Sequence, residues 1–288
     1  MRPAMKSKLF RTLRSLAVLY VVLTVLVGAL QRSLIYHPFH ESEPAMLAQA
    51  RNLRCEPWRD AGGSIIGWKS ARHAAPPAAN RLVVFHGNAG CALNRTHYLA
   101  GFEALDDGRT WEVLLFEYPG YGARPGEIGE RPFIEAGIQA LDSLAASDAR
   151  PIHLLGESLG SGLASALAGR EPQRVACLFL VTPFARMSDV AAHHYGFLPV
   201  RLLLRDSWDN VAALRHFPGP LAALIAGDDE IVPASQGRLL LDACTCPKRL
   251  WVEPGARHNT LDFEVTAPWW REVSDFLFSG TPRRLSSP

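Results

Sequence analysis

Cysteine is scarce in this chain. Five residues in 288 (Cys55, Cys91, Cys177, Cys244 and Cys246) are too few for a disulfide framework. Cys177 falls in an apolar run and reads as a small buried hydrophobe. Cys244-Thr245-Cys246 has the wrong spacing for a zinc knuckle, and no second pair answers it. A disulfide stays open for a domain outside the cytoplasm, but no pairing is readable. The adjacent His193-His194 reads as a histidine pair on a lid rather than a metal site. No metal and no cofactor are therefore expected. An excess of either charge is also missing: 30 Lys and Arg stand against 28 Asp and Glu, a net +2. Most of the surplus sits at the ends, so no basic stripe is left for nucleic acid, and none is expected as a partner. What the chain does have is 48% hydrophobic residues, ample for a core, at a length that suits one large α/β domain better than two small ones.

Leu16 to Leu30 carries no charge. Fifteen helical residues span about 22 Å, short of the roughly 30 Å hydrocarbon layer. Leu13 and Leu34 to Tyr36 lengthen the run, with Arg14 and Arg32 able to snorkel. Two readings compete, a cleaved signal peptide and a retained single-pass anchor. Val27-Gly28-Ala29 supplies a small-residue cleavage site for the first. Against it, Gln31 to Pro38 follows at once and reads as the start of the folded part, so cleavage leaves no linker. The anchor is favoured. Arg2, Lys6, Lys8, Arg11 and Arg14 precede the run, which predicts a cytoplasmic N-terminus and a domain on the extracytoplasmic side; secretion after cleavage is the alternative. The domains are then residues 1–35 (N-terminus and anchor), 36–280 (folded domain) and 281–288 (disordered tail).

From residue 40 onward the pattern is helix, hairpin, then regular alternation. His40 to Leu53 is a short helix, and Cys55 to Ser70 forms two strands around Asp60-Ala61-Gly62-Gly63. Ala71 to Asn80 is a surface loop. Strands follow at 82–85, 111–116, 152–155, 175–181, 221–226 and 248–252, with helices at 93–105, 132–146, 159 onward, 234–243 and 268–278. This alternation requires crossovers and predicts an α/β fold: a mostly parallel sheet flanked by helices, with the hairpin adding antiparallel strands at one edge. Residues 184–217 are too long for a simple crossover and predict a cap insertion, the alternative being an ordinary crossover helix plus loop.

Chemistry centres on Gly156-Glu157-Ser158-Leu159-Gly160, which fits G-x-S-x-G between an apolar strand and a small-residue helix. Such a turn is so tight that only glycine fits beside the serine, whose hydroxyl it lifts clear of the sheet. The alternative is a structural serine; Ser161 is the nearest rival nucleophile. A serine needs a base, and the base an orienting acid; on this strand-turn-helix scaffold the acid and then the histidine follow in chain order. The last strand runs into Glu253 to Asn259, which places His258 where the base is required. The preceding strand runs into Asp228-Asp229-Glu230-Ile231-Val232-Pro233, and Asp229 is preferred for its D-x-x-V-P context, with Asp228 next and Glu230 and Asp189 as further candidates. The strand ending in His86-Gly87-Asn88 turns sharply toward the elbow, so the backbone N–H groups of Asn88 and Leu159 are the candidate oxyanion donors. His86 reads as a structural pin. Glu117 to Gly122 reads as a rigid loop bordering the pocket, with Tyr118 and Tyr121 in its wall.

The motifs HGNAG, EYPGYG, GESLG, AGDDEIVP and GARHN, in this order and after QRSLIYHP, resemble the membrane-anchored branch of the α/β-hydrolase family, with its abhydrolase-domain and serine-aminopeptidase-like members. The resemblance covers about Gln31 to Phe278. It implies an α/β-hydrolase fold, Ser158 as nucleophile, Asp229 as acid, His258 as base, and Asn88 and Leu159 as oxyanion amides. The loop before the acid is one residue shorter than in many relatives, which keeps Asp228 in play. The implied activity is a serine hydrolase cleaving an ester or thioester of an acyl or lipid-like substrate. A peptidase or amidase is the second reading, and a non-catalytic binding module on the same scaffold the third; intact serine, acid and histidine argue against the last.

Overall fold

The structure is a computed structural model that describes residues 3–72, 78–106 and 110–280. The tail expected to be disordered, 281–288, lies outside the described residues, as does the middle of the Ala71–Asn80 loop. In chain order the elements are α1 (Pro3–Ile35), β1 (His37–Pro38), α2 (Glu43–Asn52), β2 (Cys55–Arg59), β3 (Ile65–Ser70), β4 (Asn80–Phe85), β5 (Ala89–Gly90), α3 (Thr96–Asp106), β6 (Trp111–Phe116), α4 (Glu130–Ser147), β7 (Ile152–Glu157), α5 (Leu159–Arg170), β8 (Val175–Val181), α6 (Met187–His194), α7 (Val200–Leu203), α8 (Asn210–Leu214), β9 (Leu221–Ala226), α9 (Ala234–Ala243), β10 (Lys248–Glu253) and α10 (Trp269–Gly280).

Eight strands form one sheet in the order β10-β9-β8-β7-β4-β6-β3-β2. The six from β10 to β6 pair in parallel, and the β2–β3 hairpin joins the β6 edge antiparallel. Central strands are buried on both faces, which is why β4 and β9 read as continuous runs with no alternation. Two apolar clusters result, one on each side of the sheet. After β4 the chain steps to β6 on one side and then to β7 on the other, so the winding reverses between β4 and β7. The crevice at the carboxyl ends of strands flanking such a reversal is where open α/β sheets bind ligands.

Residues 184–217 are only partly a cap. α6 has no buried residue, although Met187 and Val190 lie against the core, and in α7 only Val200 is buried. The segment then turns back: Trp208, Asn210, Leu214 and Phe217 are buried, and α8 packs on α5. Glycine makes that packing possible, because a Cβ on Gly169 would collide with the Ala213 carbonyl and one on Gly162 with the Trp208 ring. All five cysteines are buried free thiols.

α1 is one exposed apolar helix, longer than the charge-free run that predicts it. Its last turn is docked: Gln31 is buried and Arg32 pairs with Asp206.

His153 on β7 is fully buried, with its ring centroid 4.8 Å from that of Trp111. Burial pushes its pKa down to about 3. An unfolded chain takes up this proton near pH 6.5, the ordinary imidazole value, and the folded one does not until far lower pH. The contribution of His153 is thus intact above pH 6.5 and is lost progressively as pH falls toward 3. His153→Leu is expected to remove about 2 kcal/mol of the stability loss between pH 7 and pH 5. Chemical denaturation at the two pH values reads this directly, and an unchanged pH dependence would contradict it.

Candidate active site

Ser158 sits at the junction of β7 and α5 with φ 50° and ψ −113°, in the region that side chains rarely adopt. The sequence tolerates this because of its two neighbours. A methyl group on Gly156 would collide with the Gly160 carbonyl, and one on Gly160 with the Phe85 carbonyl at the end of β4. The elbow therefore presses the first turn of α5 against the neighbouring strand, which brings the loop after β4 to the serine.

His258 lies on the loop after β10 and Asp229 on the loop after β9. The His258 Nε2 is 3.0 Å from Ser158 Oγ, and Nδ1 is 2.7 Å from Asp229 Oδ2. With the imidazole proton on Nδ1, that nitrogen donates to the carboxylate and Nε2 accepts from the hydroxyl. The other carboxylate oxygen of Asp229 accepts from the backbone N–H groups of Ile231 (2.9 Å) and Val232 (2.7 Å). Two backbone N–H groups of its own loop thus hold the carboxylate in a single orientation, and this is the physical content of the D-x-x-V-P spacing. The Asp229 side chain is 1% exposed. Asp228 is exposed and contributes its backbone N–H to the Ala256 carbonyl, stitching the two loops together. Glu230 accepts from the His258 backbone N–H at 3.4 Å. Asp189 is far from this group in role: it pairs with Arg186 and Arg201 on the cap.

The loop carrying Asn88 is placed by the β4–β7 register, which sets Phe85 opposite Gly156. A Cβ on Gly87 would stand 3.7 Å from the Ser158 Cβ. Behind the loop lies an arrangement that sequence reasoning missed. β1, directly after α1, pairs with β5: the His37 N–H donates to Asn88 O and the Phe39 N–H to Gly90 O. The Asn88 side chain donates to the Ile35 carbonyl at 2.9 Å. Tyr121 donates its hydroxyl to Asn88 O at 2.8 Å, and Tyr118 donates to His86 O at 2.6 Å. Both tyrosines are fully buried, so they are not pocket wall as expected; they pin the loop from below. His86 is buried in the same cluster, its ring centroid 4.2 Å from that of Tyr118 and tilted against it, with Nδ1 2.8 Å from Gly87 O. A ladder of two residues has no periodicity to read, and the signal lay only in the aromatics of EYPGYG.

Glu157 was also missed. Arg95 donates to both of its oxygens at 2.9 Å, and Tyr98 donates its hydroxyl at 3.1 Å. Burial alone would raise the Glu157 carboxyl, but the Arg95 guanidinium overcomes it and holds the group below its ordinary value. This pair clamps the residue before the nucleophile to the turn preceding α3. The two partners are 62 positions apart, which no local pattern reveals.

A parallel sheet whose winding reverses at a serine elbow, with histidine and aspartate on the two following strand loops, is the arrangement of an α/β hydrolase. A family model for the α/β-hydrolase fold matches residues 80–218. An uncharacterised protein of Mycobacterium tuberculosis is 33% identical over 258 residues, spanning 85% of this chain and 89% of the relative. The chain belongs to the α/β-hydrolase family, in the branch related to protein bem46 of Schizosaccharomyces pombe, WAV2 of Arabidopsis thaliana and ABHD12. The lysophosphatidylserine lipase ABHD12 of Mus musculus is 28% identical over 64% of this chain; this chain spans about half of that protein (49%). Among solved structures, Est1E of Butyrivibrio proteoclasticus superposes with a TM-score of 0.59 at 15% identity, over 78% of this chain and 98% of Est1E, a likeness of fold.

Proposed function

We propose that this protein is a serine hydrolase that cleaves a carboxylic ester or thioester of an acyl or lipid-like substrate. The observation that carries the reading is the unbroken relay from Ser158 Oγ through His258 to a buried Asp229 held by two backbone N–H groups. His258 Nε2 takes the hydroxyl proton as Ser158 Oγ attacks the carbonyl carbon. Asp229 stabilises the imidazolium that forms. The backbone N–H groups of Asn88 and Leu159 receive the oxyanion, each such donor contributing about 3 kcal/mol to the transition state. Collapse of the tetrahedral intermediate expels the alcohol or thiol, which takes the proton from His258. Water then repeats the sequence on the acyl-enzyme and releases the acid. The lipase activity named for ABHD12 supports a lipid-like substrate, as does α1, which we read as a retained single-pass anchor with a cytoplasmic N-terminus and the domain on the other side. Gln31, Arg32 and Tyr36, just past the small residues of the alternative cleavage site, are tied into the domain, which supports retention.

A panel of p-nitrophenyl esters of graded length, acyl thioesters and aminoacyl anilides tests the assignment. Turnover of esters or thioesters with preference for longer acyl chains is expected; turnover confined to the anilides would make the protein an amidase. For topology, a reporter active only in the cytoplasm and fused after Pro288 is expected to be silent, and an active fusion would reverse the orientation.

A further inference from the structure

The anchor and the cap touch at two levels along α1. Near its end, Gln31 donates to the Leu203 carbonyl (2.9 Å) and accepts from the Arg205 N–H (2.7 Å), while Gly28 packs on Leu203. Much earlier in the helix, Tyr20 donates its hydroxyl to the Phe197 carbonyl at 3.0 Å. Tyr20 and Gln31 are eleven residues apart, about 16 Å along a helix axis. The cap segment from Phe197 to Leu203 therefore runs alongside the apolar stretch of α1 rather than stopping at its end.

We propose that the cap segment 195–204 is immersed in the apolar layer of the bilayer beside α1. This rests on the reading of α1 as a membrane anchor. With Arg14 and Arg32 at the two headgroup levels, the charge-free helix between them is about 26 Å long, close to the hydrocarbon thickness. Leu203, level with Gly28, then lies one helical turn inside the Arg32 level, and Phe197 lies deeper still.

The chemistry of the segment fits that depth. Its residues are Tyr-Gly-Phe-Leu-Pro-Val-Arg-Leu-Leu-Leu, with one charge, Arg201, which is paired with Asp189 at 2.9 Å and has a stem long enough to snorkel. Three large side chains face outward: Tyr195, Phe197 and Leu202, the last 87% exposed. Backbone polar groups at membrane depth must be paired. Here the N–H groups of Tyr195, Leu198, Val200, Leu202 and Leu204 donate to nearby carbonyls, Pro199 has none, and the Phe197 and Leu203 carbonyls are taken by α1; the N–H groups of Gly196 and Phe197 make no such bond.

The segment is continuous with the candidate active site. His194 Nε2, at the end of α6, is 2.8 Å from the carbonyl of Ile231, two residues from Asp229. The proposed membrane-facing segment thus borders the loop that carries Asp229.

The test uses the full chain in phosphatidylcholine vesicles, with an environment-sensitive fluorophore on single cysteines. Phe197→Cys and Leu202→Cys report on the cap, Val22→Cys on α1 and Leu239→Cys on the exposed side of α9. The native cysteines are buried, so unsubstituted protein sets the labelling background. Lipids brominated on the acyl chains are expected to quench most of the emission at residues 22, 197 and 202 and to leave residue 239 bright. Quenching at residue 22 with emission retained at both 197 and 202 would overturn the immersion while the anchor stands. Emission retained at residue 22 would overturn the anchor reading itself, and the immersion with it.

Discussion

Replacing Asp229 with Asn is expected to lower turnover on the order of 10⁴-fold, while Asp228→Asn keeps most of the activity. The two aspartates are adjacent in sequence and opposite in situation. Asp229 is buried with one oxygen on His258 Nδ1 and the other on two backbone N–H groups. An amide there presents an N–H to the imidazole, forces the proton onto Nε2 and leaves Ser158 without an acceptor. Asp228 points to solvent and serves the fold through its backbone alone. Steady-state kinetics on an ester, with thermal unfolding to establish that both variants fold, decides the matter. The reverse pattern would make Asp228 the acid and give the shorter loop a shifted register.

A second pair of substitutions separates function from stability at the elbow. Ser158→Ala and Ser158→Gly should each lower turnover by about 10⁶-fold, the scale seen when the serine of a catalytic triad is removed. Their stabilities should differ. The backbone at Ser158 lies in a region that carries about 1–3 kcal/mol of strain for a residue with a side chain. Glycine adopts it freely, so Ser158→Gly should be more stable than Ser158→Ala by about 1 kcal/mol. Equal stabilities would mean that the turn stores no strain at this residue.

The elbow was legible in the sequence because its requirement is steric and local: two glycines flank the serine, and both are forced by carbonyls that a Cβ would strike. His258 and Asp229 were legible for a topological reason, since loops at the carboxyl ends of neighbouring parallel strands must converge. The hairpin at residues 55–70 and the parallel strands followed from turn chemistry and from buried apolar runs. What escaped depended on partners distant in sequence. Arg95 meets Glu157 only once β4 and β7 pair, and the β1–β5 ladder is too short to show a period. Tyr118 and Tyr121 look like pocket wall in a glycine-rich loop; only the packing reveals that they face inward, Tyr118 stacked on Phe133 and both tyrosines against the His86 ring. Length alone suggests a cap over residues 184–217, and length does not show that Phe184, Trp208, Leu214 and Phe217 are buried in the core. In the same way, the apolar run announces an exposed apolar helix at α1, but its contact with residues 197–205 rests on Tyr20 and Gln31, two polar side chains that hydropathy ignores.

The central claim is that Ser158, activated by His258, is a nucleophile toward acyl-type electrophiles. The most direct test is reaction of the full-length protein with a fluorophosphonate, followed by mass spectrometry of the modified peptide. The account predicts one adduct per chain on Ser158, absent from Ser158→Ala and strongly slowed in His258→Ala. No adduct on the folded protein, or an adduct at Ser161 that persists in Ser158→Ala, would contradict it.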